Sequence, residues 1–151
     1  METLWTGIVT GQPVKAMPAF FPGSAYAQIK AVSNPEADFQ TRLVSAYKKD
    51  IAAVNASLAA NAAIAKFVGV SVPHQWNWVS PGECYNSGGY WHAPGSRLLY
   101  RVDGELRSFG VFSLISWRGE WYVVHLSSYD RPGTVDSPAV GKGDYGPAGG
   151  C

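Results

Sequence analysis

The chain has 151 residues, the size of one ordinary domain, and 46% of them are apolar, as in a typical globular protein. Charged residues make up only 15%, against about 25% in an average protein, and twelve basic side chains are balanced by eleven acidic ones. No basic stripe suits a phosphate backbone, and no apolar run approaches the roughly 18 residues of a membrane span. We therefore expect neither a nucleic-acid partner nor membrane insertion.

The start of the chain lacks a clear hydrophobic period. We predict an N-terminal arm over residues 1–19, in which Trp5, Ile8 and Val9 suit a short strand. A single α+β domain is predicted over residues 20–128. The first residues also lack the basic segment and apolar run of a secretory leader. The chain is therefore either a cytosolic protein or an exported protein whose leader has been removed.

The domain is predicted to begin with a short helix. It follows Pro22, which ends the preceding irregular stretch. Ala25, Ile29 and Val32 share one face, as the helical period requires. The helix is predicted to end near Ser33.

The second helix is the clearest element of the sequence. Ser33 or Asn34 can cap its first turn, and Pro35 suits the position after the cap. Its apolar positions recur at steps of three and four: Phe39, Leu43, Tyr47, Ile51, Val54 and Leu58. An alanine-rich stretch can continue the helix to Ala65, with a break near Asn61.

The second half of the chain is predicted to form an antiparallel sheet. A strand at residues 67–72 precedes a loop at residues 73–89, and loops of that length are often functional or pinned in place. The later strands are Arg97–Val102, Leu106–Trp117 and Trp121–Leu126, with Tyr90–His92 as a further strand that is broken at Pro94. Asp103-Gly104 and Arg118-Gly119 supply the turns. We therefore expect an α+β fold, in which two N-terminal helices pack on a curled antiparallel sheet.

These two turns also predict the register of the sheet. They pair Tyr100 with Arg107, Leu98 with Phe109, Ile115 with Tyr122 and Ser113 with Val124. One face then carries Leu98, Tyr100, Phe109, Val111, Ile115, Trp117, Tyr122, Val124 and Leu126, and the other carries Leu99, Leu106, Phe112, Leu114, Trp121, Val123 and His125. Both faces are apolar, but one helical layer covers only one of them. The second face is therefore predicted to meet a pocket, a dimer partner or the N-terminal arm.

The tail and the two cysteines favour export. Nine of the last twenty residues are glycine or proline, so residues 129–151 are predicted to be an extended tail. Cys84 lies in the long loop and Cys151 ends the tail. A disulfide between them would tie the tail to the body and contribute roughly 4 kcal/mol. Paired cysteines and a surface with few charges suit an extracellular or envelope location.

Residues with obvious chemistry are sparse. There is no nucleophile-elbow motif, no cysteine–histidine cluster and no phosphate-binding loop, so the sequence predicts no catalytic residue, no metal site and no cofactor. Tyr90, His92, Trp121 and His125 are the candidates for a pocket, because a histidine among aromatic side chains suits a small-molecule site. A structural role remains open for both: His125 as a partly buried histidine bonded to the backbone, and His92 as an edge-strand residue.

The tryptophans offer another interpretation. Trp76 and Trp78 in the long loop, together with Trp91, suit an exposed platform for a carbohydrate. The alternative is that these rings are part of the core. In a chain with six tryptophans and eight tyrosines, most aromatic rings must be buried.

Several stretches carry a resemblance to known proteins. They are Phe20-Phe21-Pro22, Tyr26–Ala31, Asn34-Pro35, Arg42–Val44 and Ser113–Leu126. Together they resemble a group of uncharacterised, exported proteins of actinobacteria, over roughly residues 18–128. The resemblance implies export and carries over no catalytic residue.

The order of elements also resembles a known fold, the cystatin-like roll of the nuclear transport factor 2 type. That resemblance implies a sheet wrapped around a helix, a pocket at its wide end and frequent dimerisation through the sheet. The chain departs from the pattern because the loop at residues 73–89 stands where a third helix is expected. Fold alone does not give function.

Three functions are compatible with these features. The first, which we favour, is a non-enzymatic exported domain that binds an envelope protein or a second copy of itself through the face with Phe112, Leu114 and Trp121. The second is a small-molecule binding or isomerase-like protein, with its pocket at the two histidines. The third is cell-wall carbohydrate binding through the loop tryptophans.

Overall fold

The computed structural model describes residues 1–135 and 139–145. Helices pack against a strongly curled antiparallel sheet, which confirms the predicted α+β class and fits a cystatin-like roll. The α-helices are α1 (Glu2–Thr10), α2 (Pro13–Ala16), α3 (Gly23–Ile29), α4 (Pro35–Asp38) and α5 (Ser45–Leu58). Short 3-10 helices span Met17–Ala19, Ala59–Ala63 and Glu83–Tyr85, and a π-helical segment spans Phe39–Val44.

Six antiparallel strands make up the described sheet. They are β1 (Lys66–Ser71), β2 (Asn77–Val79), β3 (Tyr90–Val102), β4 (Glu105–Trp117), β5 (Glu120–His125) and β6 (Ala139–Val140). The order across the sheet is β1-β3-β4-β5, while β2 pairs with the start of β3 and β6 pairs with β4. We call the side of the sheet that packs on the helices the inner face, and the opposite side the outer face.

Residues 1–19 form helices, so the strand predicted there is wrong. Leu4, Trp5 and Ile8 lie three and four residues apart, which is the helical period, and α1 buries all three. The Trp5 ring lies 5.3 Å from the ring of Tyr100 on the inner face. The segment is therefore a helical layer of the same hydrophobic core as the rest of the domain.

The predicted second helix is confirmed, with an irregularity in its middle. Asn34 caps it, since its side chain accepts a hydrogen bond from the Ala37 amide at 3.0 Å. α4, the π-helical segment and α5 follow one another in helical backbone. All six positions of the predicted apolar stripe are buried. The helix ends where Ala59 adopts φ of 47°, two residues before the predicted break.

The predicted long loop at residues 73–89 contains structure of its own. Its middle forms β2, which adds an edge strand beside the start of β3. The strand predicted at Tyr90–His92 is continuous with the next one, because Pro94 remains in the ladder opposite Ser113. A proline fits there only where its missing N–H costs no ladder bond. The result is a single thirteen-residue strand, β3.

The register prediction is confirmed for three of its four pairs. Leu98 lies opposite Phe109, Tyr100 opposite Arg107, and Ile115 opposite Tyr122. The fourth pair is wrong, because a bulge between Ser113 and Leu114 places Ser113 opposite His125 instead of Val124. One extra residue in β5 reverses the faces of the side chains beyond it. His125 therefore lies on the inner face, not on the predicted outer face.

The middle of the outer face is covered by the chain's own tail. Described residues beyond Tyr129 return to the sheet, where β6 pairs with Arg107 and Ser108 of β4. The Ser108 hydroxyl donates to the Lys142 carbonyl at 2.6 Å. The Tyr145 hydroxyl lies 2.8 Å from that of Ser71. The second apolar face is therefore covered in part by the tail. The predicted alternatives were a pocket, a dimer partner or the N-terminal arm, and the tail was not among them.

A buried carboxylate holds the start of this return. Asp50 on α5 is 0% exposed. Its oxygens accept hydrogen bonds from the Leu126 and Ser127 amides at 3.1 Å, the Ser127 hydroxyl at 2.6 Å and the Gly133 amide at 2.7 Å. Four donors replace the water that a buried carboxylate loses. The long helix is thereby joined to the end of β5 and to the tail.

Candidate functional site

A small cavity lies between the helices and one end of the inner face. Its volume is about 80 Å³. The helical side is lined by Phe21, Tyr26, Ile29, Lys30, Arg42 and Leu43, and the sheet side by Tyr90, His92, Ser113, Ile115, Val124 and His125. Asn86, from the segment before β3, completes the lining.

Two neighbouring strands bring His92 and Ser113 together. His92 points inward from the early part of β3, and its Nε2 lies 2.9 Å from the Ser113 hydroxyl on β4. Burial lowers the pKa of His92 below its ordinary value, so its ring is neutral near pH 7. A catalytic serine nucleophile needs an imidazole base beside its hydroxyl, and this pair meets that requirement. Among the described residues, however, no hydrogen bond joins His92 to a carboxylate, and a triad would need one.

The bulge in β5 adds a second neutral histidine. His125 is 8% exposed and shares the inner face with Ser113. Burial lowers its pKa to about 4, and the nearby Asp50 only partly opposes this effect. Within the described part of the chain, the His125 ring takes part in no side-chain hydrogen bond. Its ring nitrogens are therefore available to a molecule in the cavity.

A tyrosine, a carboxylate and a guanidinium form a network on the helical side. Arg42 donates two hydrogen bonds to the Asp38 carboxylate, at 2.9 and 2.7 Å, and a third to the Tyr26 hydroxyl at 2.6 Å. Tyr26 in turn donates to Asp38. The bond to Arg42 lowers the pKa of Asp38, whereas burial, reinforced by Asp38, raises that of Tyr26. The network is neutral overall and holds the Tyr26 ring against the cavity.

The segment at residues 83–87 closes the cavity beside α3. Asn86 bridges to Lys30, and the Ser87 amide donates to the Ile29 carbonyl at 2.6 Å. The Lys30 ammonium donates to the Cys84 carbonyl at 2.7 Å. Burial lowers the pKa of Lys30, because the charged form loses hydration there. Cys84 and Tyr85 both adopt positive φ, a conformation that non-glycine residues rarely take.

One polar atom in this lining lacks a partner. Asn86 is 2% exposed, and its amide nitrogen donates to the Tyr90 hydroxyl at 3.3 Å. Its Oδ1 has no hydrogen-bond partner among the described residues. A buried carbonyl oxygen without a donor costs about 1–3 kcal/mol, so native proteins seldom retain one. Its presence in a cavity indicates a place where another molecule donates.

The structure separates the six predicted binding residues into two groups. Tyr90, His92 and His125 line the cavity. Phe112, Leu114 and Trp121 do not line it, and they lie on the outer face. The sequence predicts one pocket for Trp121, His92 and His125. In the structure Trp121 does not share a pocket with them. Leu114 is buried at 3% exposure, while Phe112 and Trp121 are partly exposed.

Several cavity residues escaped the sequence analysis. Tyr26 and Lys30 lie on the predicted first helix, where one side chain of each turn must face the sheet. Asn86 lies in a segment with no hydrophobic period, so no pattern predicted its burial. The spacing of Asp38 and Arg42, four residues apart on a helix, was the one available signal, since it suits an ion pair.

Four tryptophans gather on the outer face near the same end of the sheet. We call Trp76, Trp78, Trp91 and Trp121 the outer tryptophans. Trp78 lies opposite Trp91, whose amide donates to the Ser116 hydroxyl, and Ser116 lies opposite Trp121. Trp78, Trp91 and Trp121 therefore follow a row from β2 over β3 and Ser116 of β4 to β5, and Trp76, just before β2, packs on Trp121.

The outer tryptophans pack edge to face in two pairs. The rings of Trp78 and Trp91 meet at 65°, and those of Trp76 and Trp121 at 67°. Trp76, Trp78 and Trp91 are 50%, 50% and 45% exposed. Gly89 leaves room for Trp78, since a Cβ there would lie 2.4 Å from its ring. The two rings of each pair are therefore not coplanar, and carbohydrate binding at these rings stays a prediction.

A second cavity, of about 250 Å³, lies under the tail on the outer face. Phe112, Arg97 and Arg131 are among its lining residues. Arg97 is 6% exposed and donates to the Ser108 carbonyl at 3.2 Å. It also donates to the Ser108 hydroxyl at 3.1 Å, and that hydroxyl donates to the Lys142 carbonyl of the tail.

The described residues contain no group of three or more side chains suited to hold a metal ion. None of their helices is long and apolar enough to cross a membrane. The predicted disulfide involves Cys151, which lies outside the described residues, so it stays a prediction.

No protein-family model matches the chain, and no curated protein or solved structure is significantly similar to it. The resemblance to exported actinobacterial proteins therefore also stays a prediction.

Proposed function

We propose that the protein binds a small polar molecule in the cavity between α3 and the inner face. The observation that carries this proposal is the unpartnered Oδ1 of Asn86, buried at 2% exposure in the cavity wall. A ligand with an N–H or O–H group would satisfy it. The cavity is concave and combines apolar walls with several convergent polar groups, as small-molecule sites do.

The two neutral histidines support the same proposal. Each imidazole offers a donor and an acceptor at pH 7. Among the described residues no carboxylate hydrogen-bonds to either ring, and the nearby Asp50 only partly opposes the effect of burial on the pKa of His125. Tyr26, Phe21 and Ile115 supply apolar surface around them. The site thus combines hydrogen bonds with desolvation, which together give specificity for a polar ligand.

The test pairs Asn86→Leu with Asn77→Leu, an exposed asparagine on β2. A library of small polar fragments is titrated into the ¹⁵N-labelled protein, and amide shifts are followed by NMR. We expect fragments to shift amides of β3, β4 and β5 around the cavity in the wild type and in Asn77→Leu, but not in Asn86→Leu. Fragments that bind all three proteins alike, or none at all, would contradict the proposal.

A second candidate function is association with another protein through the outer tryptophans. The sequence also favours a role in protein–protein association. Three half-exposed indole rings in and beside one row are unusual on a monomeric surface, and aromatic side chains are enriched where proteins meet. The tail covers the middle of the outer face, so the candidate surface is this row instead of the whole face. Its occupant would be a second copy of the chain or an envelope protein.

Light scattering on protein eluting from a size-exclusion column tests this candidate. Trp91→Glu introduces a charge into the row, and Val14→Glu does so at an apolar side chain that is 73% exposed on α2. A dimer that Trp91→Glu converts to a folded monomer, and that Val14→Glu leaves intact, supports association. A wild-type monomer at every concentration removes self-association as the role of the row.

We also propose that the protein works outside the cytosol, with Cys84 bonded to Cys151. Support comes from the low content of charged residues, 15%, and from the position of Cys84 in the segment that closes the cavity. Alkylation before and after reduction, read by mass spectrometry, counts the free thiols. Two thiols that react without a reductant in protein recovered from an oxidising compartment would contradict the disulfide.

A further inference from the structure

The charges around the cavity do not balance. Lys30 and Arg42 both line it. The carboxylate in contact with Arg42 is that of Asp38, and Arg42 already donates to both of its oxygens, at 2.9 and 2.7 Å. Within the described residues, Lys30 makes no ion pair, and its one hydrogen bond goes to the neutral Cys84 carbonyl. An ammonium has three donors, so two remain for a ligand.

The unbalanced charge lies next to the unpartnered carbonyl. Lys30 and Asn86 are bridge partners, so their backbones run side by side at the closing segment. Both side chains line the same cavity. A ligand that meets both must therefore offer an anionic acceptor and a hydrogen-bond donor, and a cavity of about 80 Å³ requires these two groups to be close neighbours.

The size of the cavity limits the rest of that ligand. About 80 Å³ is well below the roughly 300–1,000 Å³ of a pocket for a drug-sized molecule. It admits only a few non-hydrogen atoms. Phosphate esters of sugars or nucleosides are too large, and the apolar side chains of Phe21 and Ile115 leave room for a short hydrocarbon portion.

We propose that the cavity binds a short 2-hydroxycarboxylate, whose carboxylate pairs with Lys30 while its hydroxyl donates to Asn86 Oδ1. This inference rests on the proposed function and names the class of molecule for the same site. A carboxylate restores the charge balance that the lining lacks. Pairing removes the cost of a partly buried cation that has no counter-ion, and a charge-assisted bond is about twice as strong as a neutral one.

Three probes of nearly equal size separate the parts of the proposal. Lactate carries both groups, lactamide replaces the carboxylate by a neutral amide, and propionate lacks the hydroxyl. Each is titrated into the ¹⁵N-labelled protein, and dissociation constants are read from amide shifts around the cavity. We expect lactate to bind at least about tenfold more tightly than either of the other two.

Variants at position 30 test the charge directly. Lys30→Gln should remove the preference for lactate over lactamide, whereas Lys30→Arg should keep it. Lys48→Gln, on the exposed side of α5, is the matched control and should behave as wild type. If Lys30→Gln fails to fold, which its NMR spectrum reveals, the comparison of Lys30→Arg with wild type and the three probes still decide the matter.

The outcomes distinguish this inference from the proposed function. Equal binding of lactate and lactamide, or neutral fragments that bind in the cavity while no carboxylate does, would overturn the 2-hydroxycarboxylate and leave a ligand-binding cavity. Failure of every carboxylate and every fragment would overturn both. A preference for lactate that disappears in Lys30→Gln supports both.

Discussion

The two faces of the sheet are covered by different parts of the chain. Along β3, Tyr90, His92 and Leu98 point inward, and Trp91 and Arg97 point outward. The inner face is covered by helices except at one end, where a small polar cavity remains. The outer face is covered in its middle by the tail, and its tryptophans stay half exposed at the corresponding end.

An apolar sheet face does not by itself identify an interface. The outer face was the main functional hint in the sequence, because no helix was left to cover it. The tail that covers it is rich in glycine and proline and has no hydrophobic period. The candidate site lies instead on the inner face, where the lining is more polar than the surrounding core.

The largest expected effect concerns the carboxylate that connects the inner helix to the tail. Asp50→Ala should destabilise the protein by about 4 kcal/mol, because it leaves buried amides and the Ser127 hydroxyl without an acceptor. Asp50→Asn, which keeps one carbonyl oxygen, should cost less. Urea unfolding measures both. A loss below about 1 kcal/mol for Asp50→Ala would mean that the tail is not anchored to the inner layer.

The second prediction tests whether the first helix belongs to the cover of the inner face. Leu4→Ala should cost about 3 kcal/mol, as expected for a fully buried leucine. Val14→Ala, at a side chain that is 73% exposed, should change stability very little. Thermal and urea unfolding compare the two. Equal and small losses of stability in the two variants would mean that residues 1–19 are a loosely attached arm.

The third prediction uses the neutral histidine that distinguishes the inner cavity. The pKa of His125 is about 4 in the folded protein, against an ordinary value of 6.5. Between these values the unfolded chain binds more protons, so the free energy of unfolding should fall as the pH is lowered from about 6.5 to 4. The loss is roughly 2 to 3 kcal/mol at the acid end, and stability should be flat above pH 7 on this account.

His125→Gln should reduce this pH dependence, and His74→Gln, at an exposed position, should leave it unchanged. Urea unfolding at a series of pH values provides the measurement. His92, whose pKa burial also lowers, contributes in the same direction, so a smaller slope should persist in His125→Gln. An unchanged slope in His125→Gln would contradict the burial of its neutral ring.

The smallest expected effect concerns the outer face and its tail. Tyr145→Phe removes the hydroxyl that lies 2.8 Å from that of Ser71 and should lower the free energy of unfolding slightly. Tyr129→Phe, at a ring that is 58% exposed, is the control and should cost nothing measurable. Hydrogen exchange at β4 should also become faster in Tyr145→Phe. Identical behaviour of the two variants would mean that this contact does not hold the tail to the sheet.

Much of the local structure was predictable because it depends on neighbouring residues. The cap at Asn34 and the apolar stripe from Phe39 to Leu58 follow from helical periodicity. The Asp103-Gly104 and Arg118-Gly119 turns have positive φ at both positions, as two-residue hairpins demand. These turns correctly predicted three strand pairs.

The errors arose where a single residue or a distant contact decides the outcome. The bulge beside Ser113 depends on how β5 meets the rest of the sheet, and no local pattern marks it. It shifts His125 from one face to the other, and so converts a predicted outer-face residue into part of the cavity. Asn86 is buried only because the segment at residues 83–87 packs against α3.

Periodicity and turn chemistry act over a few residues, so the α+β class, the position of the long helix and the hairpin register up to the bulge could be predicted from the amino-acid sequence. Tertiary structure alone decided which face holds the cavity, what covers the other face and where Lys30 and Asn86 meet. Those outcomes depend on contacts between residues far apart in the chain, such as the hydrogen bond between Asp50 and Gly133, which are 83 positions apart. The net energy of such contacts reflects packing and desolvation in the folded protein, and neither has a signature in a short stretch of sequence.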